Sequence, residues 1–250
     1  MQPWSTVRAR LAAGGLNAVG VAEGAAHGAW LSGCRSVVVF GSGGRALWPA
    51  FSASVEADPR LLSEQAHPLD AHVRRLVQGA DAPHPDRRWA FADGQQHPAV
   101  PIQALAEAAG LGWSSRLGLV LHPTFGPWLG LRAVCFTRET LPVNGPLSGP
   151  GPCATCPAPC AVACSAGALA HGSLDWRACL RHRRDAEGCP TRCDARAACP
   201  EGSDHRYAAE QHHFHHSKAS GRAAFAQAHG LADPAPPPPP DWSAWLDGGA

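Results

Sequence analysis

Between Cys153 and Cys199 the chain places eight of its ten cysteines. A segment with so many thiols folds around whatever those thiols bind. The first group reads C-x2-C-x3-C-x3-C: Cys153, Cys156, Cys160 and Cys164. Cys179 stands alone, and Cys189, Cys193 and Cys199 close the array as C-x3-C-x5-C-P. Eight thiolates are what two [4Fe–4S] clusters require, four each. In bacterial two-cluster segments the last cysteine of one run ligates the other cluster. On that pattern Cys153, Cys156, Cys160 and Cys199 hold one cluster. Cys164, Cys179, Cys189 and Cys193 hold the other.

The spacing departs from the ferredoxin pattern, because Pro157, Ala158 and Pro159 stand between the second and third cysteines where two residues are usual. All-cysteine zinc sites also use C-x2-C pairs. Only one such pair is present, so ligand count and spacing favour clusters over zinc. Disulfides are the other reading of clustered cysteines. The start MQPWSTVRARLAAGG shows no apolar run after a basic segment, so no secretory leader is expected. A cytoplasmic chain keeps its thiols reduced, and clustered cysteines there read as metal ligands.

The rest of the composition is that of a globular protein, 45% hydrophobic and 16% charged with a formal net charge of +1. That balance gives no electrostatic footprint for nucleic acid or an anionic membrane surface. No apolar stretch approaches the ~20 residues of a membrane span. The thiol content changes at the Gly/Pro-rich segment 147–152. We therefore expect an α/β domain over residues 1–150, a cysteine domain over 151–220, and a Pro-rich tail over 221–250 that contains DPAPPPPPD.

In the first part, Val7–Ala13, Ala46–Val55, Pro68–Leu76 and Pro101–Ala109 read as helices. Gly110 is placed to cap the last of them. Leu16–Ala22, Ser36–Phe40, Trp89–Ala92, Leu117–Leu121 and Leu131–Phe136 read as strands, the last two as neighbours. Helices and strands mixed in this order make an α/β or α+β layer fold. Cys34 and Cys135 read as core residues.

Three segments could carry chemistry. Gly41-Ser-Gly-Gly-Arg-Ala46 matches the phosphate-cradling G-x-G-x-x-A, but no acidic strand end follows at the required distance, so a plain strand-to-helix turn is the simpler reading. His122-Pro-Thr-Phe-Gly-Pro-Trp-Leu-Gly-Leu-Arg132, with Trp113 upstream, is rich in aromatics and glycine. It reads as a flat wall beside a planar ligand or as ordinary packing. In His205–His216, His212 shares a helix face with His215 and His216. A metal site and a polar face covering the clusters are the two readings, and the second is the simpler.

The segment AEAAGLGWSSRLGLVLHPTFGPWLGLRAVCFT, residues 106–137, resembles the core of the epoxyqueuosine reductases. That family carries an AGLGW-type stretch, a strand, and a loop ending in Gly-x-Trp. Its cluster cysteines follow in the same grouping, with Cys164-Ser-Ala-Gly-Ala-Leu169 similar to its CPTGAI and Cys179 at its isolated cysteine. His122–Trp128 also resembles the His-Pro-Arg-Phe-Gly-Gly-Trp loop of the CblC-type cobalamin-processing chaperones. His67–Asp70 and Tyr207–Gln211 have counterparts there too.

The resemblance covers roughly residues 30–216. It implies a nitroreductase-like, cobalamin-binding first domain followed by a ferredoxin-like domain whose two clusters reduce the bound cobalt. Trp113, His122, Phe125, Gly126, Trp128 and Arg132 would then lie near the corrin, and Asp93 or His97 would serve as the proton donor. The family's transfer-RNA-binding helical repeats have no counterpart in this sequence, so a substrate other than epoxyqueuosine is expected. The implied partners are a corrinoid and a redox protein such as a flavodoxin or a ferredoxin reductase. A flavin in place of the corrinoid, or an electron carrier with no reaction of its own, is the alternative.

Overall fold

The computed structural model describes residues 2–92, 100–185, 189 and 191–232. Asp93, His97 and the polyproline stretch lie outside the described residues. The central element is a four-stranded antiparallel sheet in the order β1-β2-β6-β3, built from Ala18–Glu23 (β1), Ser36–Gly43 (β2), Arg87–Phe91 (β3) and Leu129–Thr137 (β6). Two short strands, Trp113–Ser114 (β4) and Val120–Leu121 (β5), pair with each other beside it.

All eight residues of β2 are buried. Antiparallel strands usually show one face to water. Here both faces are covered, which explains the unbroken Val-Val-Val-Phe run. Val38, Phe40, Ala133 and Cys135 point into one core, and Val37, Val39, Val134 and Phe136 into the other. The first core is closed by the helices Trp4–Ala13 (α1), Trp48–Ala57 (α2), Arg60–Ser63 (α3) and Pro68–Ala80 (α4). Ile102–Ala108 (α5) closes the second with Leu105 and Ala106.

Local chemistry sets the helix ends. Pro68 opens α4 at its first turn. Gly110, at φ 73°, ends α5 with Gly110 N–H bonded to Glu107 O and Leu111 N–H to Ala106 O, the reciprocal pair of a Schellman cap.

The expectation that Leu117–Leu121 and Leu131–Phe136 are neighbouring strands is corrected. Both edges of β6 are taken, by β2 and by β3, and Val120–Leu121 pairs with Trp113–Ser114 instead.

The cysteine segment has little regular structure: Pro159–Val162 (α6), Trp176–Asp185 (α7) and Asp194–Ala197 (α8), joined by turns. Its small core gathers Cys160, Leu169 and Ala195. The chain then returns to the first layer. Ala209–His216 (α9) and Lys218–Ala228 (α10) place Phe214 and Phe225 in the core of Trp48 and Phe51, so a helix runs through the 220/221 boundary drawn from the sequence. Among the described residues no helix is long and apolar enough to cross a membrane.

Candidate metal centres and their docking loop

None of the ten cysteines is paired in a disulfide. The eight in the array fall into two foursomes. Cys160 lies within electrostatic reach of Cys153 and Cys156, and Cys199 within reach of Cys160 and Cys153. All four line one cavity together with Leu117 and Leu121. Cys179 feels Cys193, Cys164 and Cys189, and Cys193 feels Cys189 and Cys164.

Burial pushes the Cys160, Cys179, Cys193 and Cys199 thiols up, and the neighbouring sulfurs push them further. Four crowded thiolates become favourable only around a cationic centre. Among the described residues no three His, Cys, Asp or Glu groups close around a single-ion position.

The backbone is shaped to bring each foursome together. Cys153 sits in the turn Pro152–Ala154 and Cys160 in α6. The extra residue between Cys156 and Cys160 is absorbed at Ala158. It is the one non-glycine with positive φ among the described residues, at φ 57°, immediately before α6. Cys193 caps α8, its sulfur accepting from Arg196 N–H at 3.4 Å. Ser165 Oγ stands 3.3 Å from Cys189 Sγ.

The His122–Arg132 segment holds this module onto the sheet. His122 and Gly126 exchange backbone hydrogen bonds, and His122 Nδ1 accepts from Thr124 N–H at 3.0 Å and from Phe125 N–H at 3.2 Å. Burial, with His205 nearby, holds the His122 pKa down to about 4, so the ring is neutral and free to accept both. A Cβ on Gly126 would stand 2.1 Å from Glu201 O, so glycine is required where the loop crosses the module backbone. Pro127 O accepts from Arg196 Nε at 3.0 Å and from Nη2 at 2.6 Å. The same guanidinium lies 4.8 Å over Trp128 and 4.7 Å over Tyr207. Phe125 packs between His122 and His205, and its ring fills the space over Gly43.

Trp128 is 1% exposed, wedged against Tyr207 and His212. Trp113 donates to Gly149 O at 3.2 Å and packs on Gly151, fastening the linker. Arg132 faces a cavity of the first layer, lined also by His67, Asp70, His215 and Arg222. Its Nε donates to Ser42 Oγ at 3.2 Å.

Two other motifs resolve into packing. In the Gly41–Ala46 turn the Gly43 N–H is bonded to Asn17 and the Gly44 N–H to Trp128 O, leaving neither for a phosphate. The histidine-rich helix covers the second foursome. His212 Nε2 accepts from Cys193 N–H at 3.3 Å, and His216 Nε2 donates to Cys189 O at 2.8 Å. Arg196 had no spacing signal of its own. It is one arginine among several in a loop-rich segment.

No protein-family model and no curated protein matches the chain. Solved structures do. Epoxyqueuosine reductase from Streptococcus thermophilus aligns at 12% identity and a TM-score of 0.51, over 81% of this chain and 66% of that one. The C. elegans B12-trafficking protein CblC aligns at 11% identity and 0.55, over 90% and 96%. The reductive dehalogenase NpRdhA, in complex with 3-bromo-4-hydroxybenzoic acid, aligns at 16% and 0.53, over 88% of this chain but 33% of its own. The chain therefore spans about two thirds of the epoxyqueuosine reductase and nearly the whole length of CblC. At these identities the likeness establishes a shared fold: this chain has the fold common to the epoxyqueuosine reductases and the CblC proteins.

Proposed function

We propose that the chain is an iron–sulfur oxidoreductase in which two [4Fe–4S] clusters pass electrons to a corrinoid held by the first layer. The observation that supports this reading is the partition of eight thiols into two foursomes, the same partition that the interleaved spacing predicts. Cys153, Cys156, Cys160 and Cys199 would hold the inner cluster. Cys164, Cys179, Cys189 and Cys193 would hold the outer one. Arg132, Arg222 and His215 would line the corrinoid pocket. When bound, the clusters supply one-electron transfer and the corrinoid a reduced, nucleophilic metal. The protein's part is to give up the thiol protons on assembly, to fix the module against β6 through Arg196 and Gly126, and to shield the buried Cys160 and Cys199 from water.

Anaerobic reconstitution tests the reading. About eight irons per chain are expected, with a corrinoid spectrum that changes on reduction. Cys199→Ala should remove about four irons and leave the set containing Cys179 intact, although Cys199 lies closer in sequence to Cys193 than to Cys160. A variant that kept both clusters would overturn the interleaved ligand sets.

One observation favours a second reading, a carrier with no reaction of its own. Phe125, Gly126, Trp128 and Trp113 are engaged in packing within the loop, the module and the linker. An unchanged corrinoid spectrum with eight irons present would select that reading.

A further inference from the structure

Resting on the two-cluster reading, we infer that electrons enter at the outer foursome, delivered by an acidic one-electron carrier protein that docks on the basic face of α7. The two foursomes are placed asymmetrically. In the inner one Cys160 and Cys199 are 7% and 8% exposed, with Cys153 and Cys156 half-buried, and Leu117 and Leu121 line their cavity, whereas none of the outer four is buried. The outer one reaches the surface. Ser165, close to Cys189 Sγ, is itself exposed and bonds His182 of α7 at 3.0 Å.

Cys179 sits within α7, whose ten residues WRACLRHRRD hold four arginines and one aspartate, in a chain of net charge +1. Arg181 and Arg183 are exposed on either side of His182. No carboxylate among the described residues pairs with either, and Arg183 donates to the His216 carbonyl. Of the described acids nearby, Asp175 accepts from Ala178 N–H, and Asp194 pairs with Arg192. Trp176, 41% exposed at the start of α7 with Arg177 stacked on its ring, adds the aromatic contact that interface centres favour. A cationic face beside a shallow redox centre raises the encounter rate of an acidic donor and orients it. In the step itself one electron leaves the reduced carrier, which is oxidised by one unit, and the outer cluster is reduced by one. No bond forms and no proton is required.

The test uses the reconstituted full chain and a reduced plant-type [2Fe–2S] ferredoxin, an acidic carrier, with cluster bleaching followed by stopped flow. The second-order rate should fall steeply as salt is raised from low ionic strength. Arg181→Glu should lower it about fivefold at low salt and flatten the salt dependence. Iron content and the extent of reduction by excess dithionite should stay as in the parent. The double reversal Arg8→Glu with Arg10→Glu, on α1, should leave the rate unchanged. Equal loss in the α1 variant, or a salt-independent parent rate, would overturn the docking face. A reconstituted chain without iron would instead overturn the cluster reading, so the two failures are told apart before any rate is measured.

Discussion

Arg196 joins the module to the sheet through one side chain. It donates twice to Pro127 O and stands beside both rings of the edge-on Trp128–Tyr207 pair. Guanidinium suits that position because it is planar and has several donors in a fixed fork, whereas an ammonium is a point charge. Arg196→Lys keeps the charge but cannot reach both rings while donating twice to one carbonyl. We expect it to cost about 1–3 kcal/mol, read as a lower midpoint in denaturant. Iron content after reconstitution should be unchanged, since the cysteines are untouched. A loss of iron without a loss of stability would place Arg196 in cluster chemistry rather than in docking. Gly126 meets the same interface from the backbone side. Its φ of 55° and the 2.1 Å approach of Glu201 O to a would-be Cβ exclude any other residue without local rearrangement.

At the scale of elements, α6 shows how an irregular spacing is accommodated. The added residue between Cys156 and Cys160 is turned into a single left-handed step at Ala158, which costs an L-residue roughly 1–2 kcal/mol. Ala158→Gly should recover part of that, raising the denaturant midpoint of the reconstituted protein by about 0.5–1 kcal/mol with both clusters retained. A drop in stability would mean that the Ala158 methyl, packed in the module's small core, matters more than the backbone. Helices and long strands of the first layer were legible from their apolar spacing and runs: α1 buries Trp4, Val7 and Leu11 at helical spacing, and β2 carries the unbroken run Val37–Phe40. The pairing of Val120–Leu121 was not legible, because two apolar residues carry no partner information. It is fixed by the occupied edges of β6. The return of α9 and α10 to the first core was hidden as well. A histidine-rich and an alanine-rich helix show no apolar stripe that announces Phe214 and Phe225 as core residues.

Across the whole molecule the spacing of the eight cysteines suggests two foursomes, whereas nothing in it announces the interface beside them. His122, Phe125 and Trp128 look like a ligand wall in one dimension, and only the fold brings Glu201, Tyr207 and Arg196 against them. That interface contains neutral histidines, which gives it a pH limit. Burial, helped by His205 at His122 and by Arg196 at His212, lowers both pKa values to about 4. Burial, helped by Arg75, does the same for His72 in the first core. A histidine whose folded pKa lies below its ordinary 6.5 takes up a proton more readily when unfolded. The stability these rings contribute is therefore complete above pH 6.5 and is lost as pH falls toward about 4. Protonating His122 Nδ1 would also take away the acceptor for Thr124 and Phe125 N–H, so the loop should release the module before the sheet melts. His122→Asn keeps an acceptor oxygen and has no proton to gain. Between pH 6 and 4.5 the unfolding free energy of the parent should fall with pH by about one proton more than that of the variant, measured by denaturant titration at each pH. Equal slopes would show that His122 takes up its proton alike in the folded and unfolded chain, and the loop would then need a different explanation for its turn.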